Sequence, residues 1–277
     1  MSFQTIISPA SLARHLDDPG WVVVDCRFSL TDTSAGRRAY EKAHIPGAVY
    51  VHLNEDLSGP PVTDHGRHPL PTPQALTALF SRLGIAAGTQ VVAYDDAGGV
   101  IAARLWWMLR YMSHEAVAVL DGGWPAWQSA GLPTTAGVET NEPDTFTGRP
   151  RRRHLALVDD VPNASLLVDA RTPARYRGEE EPFDPVAGHI PGAVNYHFGK
   201  NLDEQGRFLP PERLRQQLDA IRQNTPATDI VYYCGSGVTA CHNLLAQAHA
   251  GLPEGRLYVG SWSEWSADDE RPVAREA

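Results

Sequence analysis

The sequence repeats itself once, and this duplication limits the folds open to the chain more than any other feature. Four short motifs occur in both halves in the same order. The copies are 144, 145, 139 and 138 residues apart, a drift that small insertions and deletions in loops explain. The pairs are VVDCR at 23–27 with LVDAR at 167–171, AHIPGAV at 43–49 with GHIPGAV at 188–194, VVAYD at 91–95 with IVYYC at 230–234, and DGGWPAW at 121–127 with VGSWSEW at 259–265. A period this long indicates two duplicated domains rather than a solenoid.

Each half alternates short apolar strands with helices. Short apolar runs with β-branched or aromatic residues predict strands, and apolar residues at helical spacing predict helices. The predicted strands are 21–25, 90–94, 166–169 and 229–233, and the predicted helices are 72–83, 211–222 and 238–250. Such alternation predicts a mostly parallel sheet with helices on both faces. We expect two tandem α/β domains, at 1–132 and 154–277, joined by a linker at 133–153 that is rich in Thr, Gly, Pro and Arg.

Charge and composition argue against several classes of partner. The chain carries 24 Lys and Arg residues against 33 Asp and Glu, a formal net charge of −9, so it has no overall field that would attract nucleic acid. The basic run at 149–153 is short, and we interpret it as part of a solvated linker. The most apolar run, 101–109, has nine residues and includes Arg104, whereas roughly 20 apolar residues are needed to span a bilayer. We therefore expect no membrane partner.

Cysteine content and the N-terminus point to a cytoplasmic protein. The first ten residues have neither the basic start nor the long apolar core of a signal peptide. Three cysteines are too few for a disulfide framework and odd in number. A reducing compartment fits best, and in such a compartment a free thiol can act as a reagent.

The strand predicted at 229–233 leads directly into Cys234, the candidate nucleophile. Open α/β sheets usually bind ligands at the C-terminal ends of their strands. Gly235 and Gly237 allow consecutive backbone N–H groups to converge on one point, and the helix that follows adds partial positive charge. Such a cradle favours a thiolate, the form of cysteine that attacks. The first half has Asp95 at the corresponding position, so the fold itself does not require a cysteine there.

Other chemistries of cysteine fit the sequence less well. Cysteine phosphatases need an arginine six residues after the nucleophile, and this position is Ala240. Cys234 and Cys241 lack the CxxC spacing of zinc sites, and the adjacent His242 completes no recognisable ligand set. No local motif assigns a base for a Cys–His protease. We therefore expect neither a metal nor a cofactor.

As an ordered set, these motifs resemble the two-domain rhodanese-type sulfurtransferases over nearly the whole chain. Besides the paired HIPGA turns, the set includes WWM at 106–108, LDGG at 120–123, CGSGVTA at 234–240 and GSWSEW at 260–265. In that family only the C-terminal domain carries the catalytic cysteine. This chain agrees with that pattern, since its first half has Asp95 where its second half has Cys234. The resemblance implies tandem rhodanese-like domains. It also implies transfer of sulfane sulfur through a persulfide on Cys234, from a small-molecule donor to a thiol or cyanide, with thioredoxin and glutathione among the candidate acceptors.

The loop after Cys234 is similar to that of the 3-mercaptopyruvate sulfurtransferases. Relatives that prefer thiosulfate tend to place Arg and Lys directly after the cysteine, whereas Gly235 and Ser236 are uncharged. The carboxylate of mercaptopyruvate still needs a cation, and the resemblance implies Arg175, with Arg177 as a weaker candidate. The predicted donor-binding residues are therefore Arg175, Arg177, Gly235, Gly237, Val238 and Thr239.

The chain departs from the family pattern at two positions. Mercaptopyruvate enzymes often carry a second substrate arginine in the acidic loop before the second HIPGA turn, where this chain has Phe183. The family is also credited with an Asp–His–Ser relay, for which Ser236 and His68 supply the serine and the histidine. The aspartate position aligns with Asn54, which can orient an imidazole but cannot balance its charge, so an acidic residue at 55 or 56 is the alternative.

Two other functions stay open for this sequence. Thiosulfate could be the donor, with Arg175 binding its sulfonate-like end. Alternatively the chain could be a persulfide carrier with little turnover of small molecules, or a purely structural module. The remaining motifs are interpreted as scaffold, with packing or turn roles for His44, His189, Trp106, Trp107 and Cys241. The loop at 260–262 is a candidate wall of the site.

Overall fold

The computed structural model describes residues 2–60 and 66–275, which form two compact units. Unit 1 comprises the described residues of 1–59, 71–151 and 204–208, and unit 2 those of 60–70, 152–203 and 209–277. Each unit therefore includes a short segment from the other half of the sequence. The segment predicted as a linker lies along unit 1, where the N–H of Arg151 donates to the carbonyl of Tyr111. The domain boundaries drawn from the sequence stay a prediction.

Unit 1 is a parallel sheet with helices on its faces. Its strands are β1 (Ile6–Ile7), β2 (Trp21–Asp25), β3 (Val49–Tyr50), β4 (Gln90–Tyr94) and β5 (Val117–Leu120), in the spatial order β1-β5-β4-β2-β3. Its helices are α1 (Pro9–Leu12), α2 (Ala35–Lys42), α3 (Pro73–Arg82), α4 (Ala102–Tyr111) and α5 (Gly123–Ser129). All ladders between these described strands are parallel.

Unit 2 repeats this arrangement, so the predicted α/β fold is confirmed for both halves. Its strands are β6 (Leu155–Ala156), β7 (Leu166–Asp169), β8 (Val194–Asn195), β9 (Ile230–Tyr233) and β10 (Arg256–Tyr258), in the parallel order β6-β10-β9-β7-β8. Its helices are α6 (Pro173–Arg177), α7 (Pro211–Arg222), α8 (Ala240–His249) and α9 (Ser261–Trp265). Short 3₁₀ turns connect several of these elements.

The cores lie between the sheets and their helices. The central strands β4 and β9 are buried along their whole length, as expected for strands that are covered on both faces. Trp106 and Trp107 in α4 are fully buried, which agrees with the packing role expected for them. In unit 2, Trp262 packs into the cluster that contains Tyr233 and Leu167. Burying a large side chain contributes about 1.5–3 kcal/mol or more, so these aromatic residues are major contributors to stability.

An ion pair at the end of a central strand occurs in both units. In unit 2, Arg171 binds the buried carboxylate of Asp169 through Nε and Nη2, and its guanidinium lies 4.7 Å from the ring centre of Trp262. In unit 1, Arg27 and Asp25 make the corresponding pair. Each buried carboxylate accepts charge-assisted hydrogen bonds from its arginine. Its charge is therefore balanced although it is removed from water.

The second HIPGA turn joins α6 to β8 in the way expected from its sequence. Gly192 has φ +81°, a left-handed conformation that favours glycine. His189 is buried, its Nδ1 lies 2.7 Å from the carbonyl oxygen of Tyr176, and its ring stacks on the Tyr176 ring at 3.7 Å. His44 repeats these contacts in unit 1. Both histidines thus have the structural environment that the sequence interpretation expects.

We predict that His189→Ala lowers the free energy of unfolding by about 2–4 kcal/mol, because it removes a buried hydrogen bond and a stacked ring. Urea unfolding measures this change, while kcat/KM per folded molecule should stay within about twofold of wild type. Normal stability combined with lost turnover would instead assign His189 a chemical role.

Candidate active site

Strand β9 delivers Cys234 to its C-terminal end, where neighbouring loops fix the cysteine backbone. The N–H of Cys234 donates to Oγ of Ser261 at 3.1 Å, and its carbonyl accepts from the N–H of Trp262 at 3.0 Å. Ser261 has φ +54°, an uncommon conformation for a residue other than glycine, which is typical of functional sites. The loop at 260–262 therefore lies against Cys234, as the sequence interpretation proposed.

The loop at 234–239, called here the Cys234 loop, turns sharply into α8. Gly237 has φ +73°, and a Cβ at this position would lie 2.3 Å from the carbonyl oxygen of Val259. Only glycine therefore fits here. The turn leads into the N-terminus of α8 at Ala240, two residues later than predicted, and this helix end contributes partial positive charge.

The corresponding loop of unit 1, at 95–100 and called here the Asp95 loop, demonstrates what this geometry binds. Asp95 is fully buried, and its carboxylate accepts four backbone hydrogen bonds of 2.8–2.9 Å. The donors are the N–H groups of Ala97, Gly99, Ile101 and Ala102. Burial raises the pKa of Asp95, and these four donors act in the opposite direction. The loop is thus a built anion cradle, filled by its own side chain.

The Cys234 loop has the same kind of donors without the carboxylate. Ser236, Val238 and Ala240 correspond to three of the four residues that bind Asp95. Within residues 2–60 and 66–275, no protein acceptor lies on the N–H groups of these three residues. Buried N–H groups are rarely left without a partner. The cradle at Cys234 is therefore suited to accept a negatively charged group next to the thiol.

The other two cysteines lie in surroundings of a different kind. Burial raises the pKa of the Cys26 thiol well above its usual value, and the nearby Asp95 and Asp25 raise it further, so Cys26 stays protonated. The Sγ of Cys241 lies inside α8 and donates to the carbonyl of Gly237 at 3.3 Å. Cys234 is itself only 1% exposed.

The structure brings His68 and Ser236 together, as the relay prediction requires. A hydrogen bond of 2.7 Å joins His68 Nδ1 to Ser236 Oγ, and both side chains are buried. In unit 1, Glu55 pairs with Arg37, and the carboxylate at 56 binds an arginine and a backbone N–H. Whether Asn54 or one of these two acids supports His68 stays a prediction.

Two guanidinium groups lie beside the residue that follows Cys234. A Cβ built on Gly235 would be 3.0 Å from Nη2 of Arg67 and 3.3 Å from both terminal nitrogens of Arg175. The family resemblance predicts Arg175, whereas no motif of the sequence predicts Arg67. The only signal for Arg67 was its place directly before His68. Glycine at 235 thus leaves room for two cations close to Cys234.

These arginines belong to a chain of alternating charges in unit 2. Its links, apart from one very short contact, are 2.6–3.4 Å long, and its three carboxylates are almost completely buried. The order of the six side chains is Asp169, Arg171, Glu181, Arg175, Asp184 and Arg67. Burial raises the pKa of the Asp184 carboxyl, while Arg67 acts in the opposite direction. The alternation cancels the three positive and three negative charges.

Phe183 lies where the family resemblance predicts a second arginine. Phe183 is 46% exposed, and its ring centre lies 5.6 Å from Cζ of Arg67 and 5.2 Å from Cζ of Arg175. The ring therefore contacts both cations without contributing charge.

Arg177 is not brought to Cys234 by its described contacts. It pairs with Glu179 at the surface. Arg175 and Arg177 are two residues apart in α6, which rotates their side chains by about 200° relative to each other. One therefore faces the charge chain and the other faces away, so a donor-binding role for Arg177 stays a prediction without geometric support.

The part of the chain that the structure describes holds no cluster of three or more His, Cys, Asp or Glu side chains arranged for a metal ion. None of its helices is both long and apolar enough to cross a membrane.

Comparison with known proteins identifies the family. The model of the rhodanese-like domain matches the chain twice, over residues 8–130 and 153–268. This chain belongs to the rhodanese family. The match covers both units and agrees with the family resemblance of the motifs.

Several relatives of this rhodanese-family chain are named as sulfurtransferases. A protein of Pseudomonas aeruginosa named "Probable 3-mercaptopyruvate sulfurtransferase" is 48% identical over 283 residues, covering 99% of each chain. The thiosulfate sulfurtransferase of Rattus norvegicus is 35% identical over 280 residues, covering 95% of this chain and 92% of its own. The structure of 3-mercaptopyruvate sulfurtransferase from Leishmania major matches with a TM-score of 0.86 and 32% identity, over 98% of this chain and 76% of that one. The rhodanese-family chain is accordingly an enzyme of the sulfurtransferase class.

We predict that Asp95→Ala destabilises unit 1 by about 3 kcal/mol or more, because it leaves four N–H donors without their acceptor. Asp95→Asn keeps one acceptor oxygen, so its stability should lie between that of wild type and that of Asp95→Ala. Urea unfolding of the full chain, followed by tryptophan fluorescence, measures the series. Equal stability of all three proteins would contradict the interpretation of the loop as an anion cradle.

Proposed function

We propose that the chain transfers sulfane sulfur from 3-mercaptopyruvate to a thiol or cyanide, through a persulfide on Cys234. The observation that carries this proposal is the Cys234 loop, whose open N–H donors match those that bind the Asp95 carboxylate in unit 1. A persulfide anion is held by such donors for the same electrostatic reason as a carboxylate.

In the first half-reaction the Cys234 thiolate attacks the sulfur atom of 3-mercaptopyruvate. A new S–S bond forms, and the bond between that sulfur and C3 of the donor breaks. Its electron pair leaves with carbon as the enolate of pyruvate, which then takes up a proton. The enzyme keeps the outer sulfur as Cys–S–SH or, after loss of its proton, as the Cys–S–S⁻ anion. No external oxidant or reductant is needed, since the donor is reduced at carbon as the two sulfur atoms are oxidised.

In the second half-reaction an acceptor removes the outer sulfur. A thiolate attacks it to form a new persulfide, or cyanide attacks it to form thiocyanate, and in both cases the electron pair of the enzyme S–S bond returns to Cys234. Glutathione and thioredoxin are candidate thiol acceptors. Because the charge on the enzyme's sulfur is retained, the same loop stabilises every resting state of this cycle.

The hydrogen-bonded pair of His68 and Ser236 supplies proton transfer beside the nucleophile. Ser236 is two residues from Cys234 and lies 2.7 Å from the imidazole. A hydroxyl that is coupled to an imidazole can accept the thiol proton and return it to the enolate. The pair thus serves both proton transfers of the first half-reaction, the deprotonation of the thiol and the protonation of the enolate.

Two arguments favour 3-mercaptopyruvate over thiosulfate as the donor, namely the charge of the residues near Cys234 and the name of a similar protein. Gly235 and Ser236 place no cation within the loop, and the planar Arg175 guanidinium suits a carboxylate. The relative at 48% identity is named for mercaptopyruvate. Thiosulfate is the second candidate donor, since a relative at 35% identity is named for it.

We predict that Cys234→Ser abolishes sulfur transfer to cyanide by at least about a thousandfold with either donor, because the hydroxyl cannot replace the thiolate. Wild-type protein treated with 3-mercaptopyruvate should gain the mass of one sulfur, and the variant should not. The wild-type kcat/KM should be higher for 3-mercaptopyruvate than for thiosulfate.

The same assay separates the alternatives. Equal or higher kcat/KM with thiosulfate would reject the mercaptopyruvate assignment. A stable sulfur adduct with negligible turnover of both donors would favour a persulfide carrier.

We predict that Ser236→Ala lowers kcat with 3-mercaptopyruvate by about 10- to 100-fold, with a smaller effect on KM, because proton transfer contributes about 10²–10⁴-fold in enzymes and water replaces part of it. Stopped-flow release of pyruvate across pH should also change the shape of the pH profile. An unaltered kcat and profile would remove Ser236 from the proton path.

A further inference from the structure

We propose that Arg67 is the second cation that binds the donor's carboxylate, in place of the arginine that this chain lacks at Phe183. This inference rests on the proposed function and assigns a specificity-determining residue to the same site. The first observation is position, because Arg67 Nη2 and both terminal nitrogens of Arg175 lie within 3.0–3.3 Å of one point above Gly235. Two guanidinium groups therefore converge directly beside Cys234.

The second observation is the way in which Arg67 is held. Its backbone N–H donates to Ser263 Oγ at 3.1 Å, and Ser263 in turn donates its N–H to the carbonyl of Gly235. The preceding Gly66 packs so closely on Gly260 that a Cβ would lie 2.7 Å from its carbonyl oxygen. The segment that carries Arg67 is thus fixed to the loops that surround the nucleophile.

The third observation is the place of Arg67 in the charge chain. Arg171 and Arg175 each contact two carboxylates, whereas the described residues give Arg67 only Asp184. Arg67 is also the most exposed of the three, with 30% of its side chain accessible. It is consequently the member with donor capacity left for an incoming anion.

The fourth observation concerns Phe183, which lies next to both guanidinium groups. An arginine at 183 would add a third cation to a space that already holds two. Arg67 brings its charge to the same place from a segment more than a hundred residues earlier in the sequence. The carboxylate of the donor would then bind Arg67 Nη2, the nitrogen beside Gly235, while Arg175 binds it from the other side.

The first experiment measures turnover of 3-mercaptopyruvate. Arg67→Gln should lower kcat/KM by about 10- to 100-fold, chiefly through KM, because a charge-assisted hydrogen bond to the donor is lost. Arg67→Lys should recover part of this loss, since it restores the charge without the planar fork. Arg215→Gln, which changes an exposed arginine of α7, is the matched control and should behave as wild type.

A second measurement does not depend on sulfur transfer. Bromopyruvate and bromoacetone alkylate a thiol at the same kind of carbon and differ only in the carboxylate. Peptide mass spectrometry gives their rates at Cys234. The rate ratio of bromopyruvate to bromoacetone should fall about tenfold or more in Arg67→Gln and stay constant in Arg215→Gln.

A third variant separates donor binding from the loss of a structural partner. If Arg67→Gln acts only by leaving Asp184 unpaired, Arg67→Gln combined with Asp184→Asn should recover both the KM and the rate ratio. Under the proposal the double variant stays impaired in both, and recovery would overturn the assignment. An unchanged ratio in Arg67→Gln would overturn it as well.

The outcomes also distinguish this inference from the proposed function. An Arg67-dependent ratio without turnover of 3-mercaptopyruvate would refute the proposed donor and keep Arg67 as an anion-binding residue. Failure of both reagents to reach Cys234 would refute the proposed function, and the role of Arg67 with it.

Discussion

Backbone N–H groups that converge at the end of a central strand require a negatively charged or strongly accepting group, and unit 1 supplies this group from its own side chain. In unit 1 the carboxylate of Asp95 accepts four such bonds. In unit 2 the same position is Cys234, whose loop offers corresponding donors. Since an unpaired buried donor costs about 1–3 kcal/mol, a loop of this shape favours an anion within it. The same kind of interaction that stabilises the Asp95 loop would stabilise a negatively charged group in the Cys234 loop.

The charged residues around Cys234 extend a pair that the fold already uses. Asp25 with Arg27 in unit 1, and Asp169 with Arg171 in unit 2, end equivalent strands with the same geometry. In unit 2 the pair continues through Glu181, Arg175, Asp184 and Arg67 to the residue that follows Cys234. Alternation keeps this buried chain neutral, which lowers the desolvation penalty of each member. The site is thus built by adding charges to a structural ion pair rather than by a separate arrangement.

Much of the fold was predictable, because strand and helix periodicity are local properties of the chain. The bounds of β2, β4, β7 and α7 agree with their prediction, and the end of β9 placed Cys234 correctly. His68 and Ser236 were paired only through the family resemblance, since 168 residues separate them. Arg67 had no such guide. Arg67 makes its contacts because a segment from the first half of the sequence belongs to unit 2. No local sequence pattern predicts this placement of the segment.

By itself, the sequence determined the duplication, the parallel α/β fold of each copy and the copy that carries the cysteine. These follow from repeated motifs, from hydrophobic periodicity and from one substitution at the end of a strand. Only the tertiary structure decided which cations lie beside the Cys234 loop. Arg175 and Arg177 are nearly adjacent in sequence but lie on different sides of α6, whereas Arg67 is distant in sequence and close in space. The physical reason is that a side chain's direction and its long-range partners depend on how the backbone is folded, which composition and spacing do not specify.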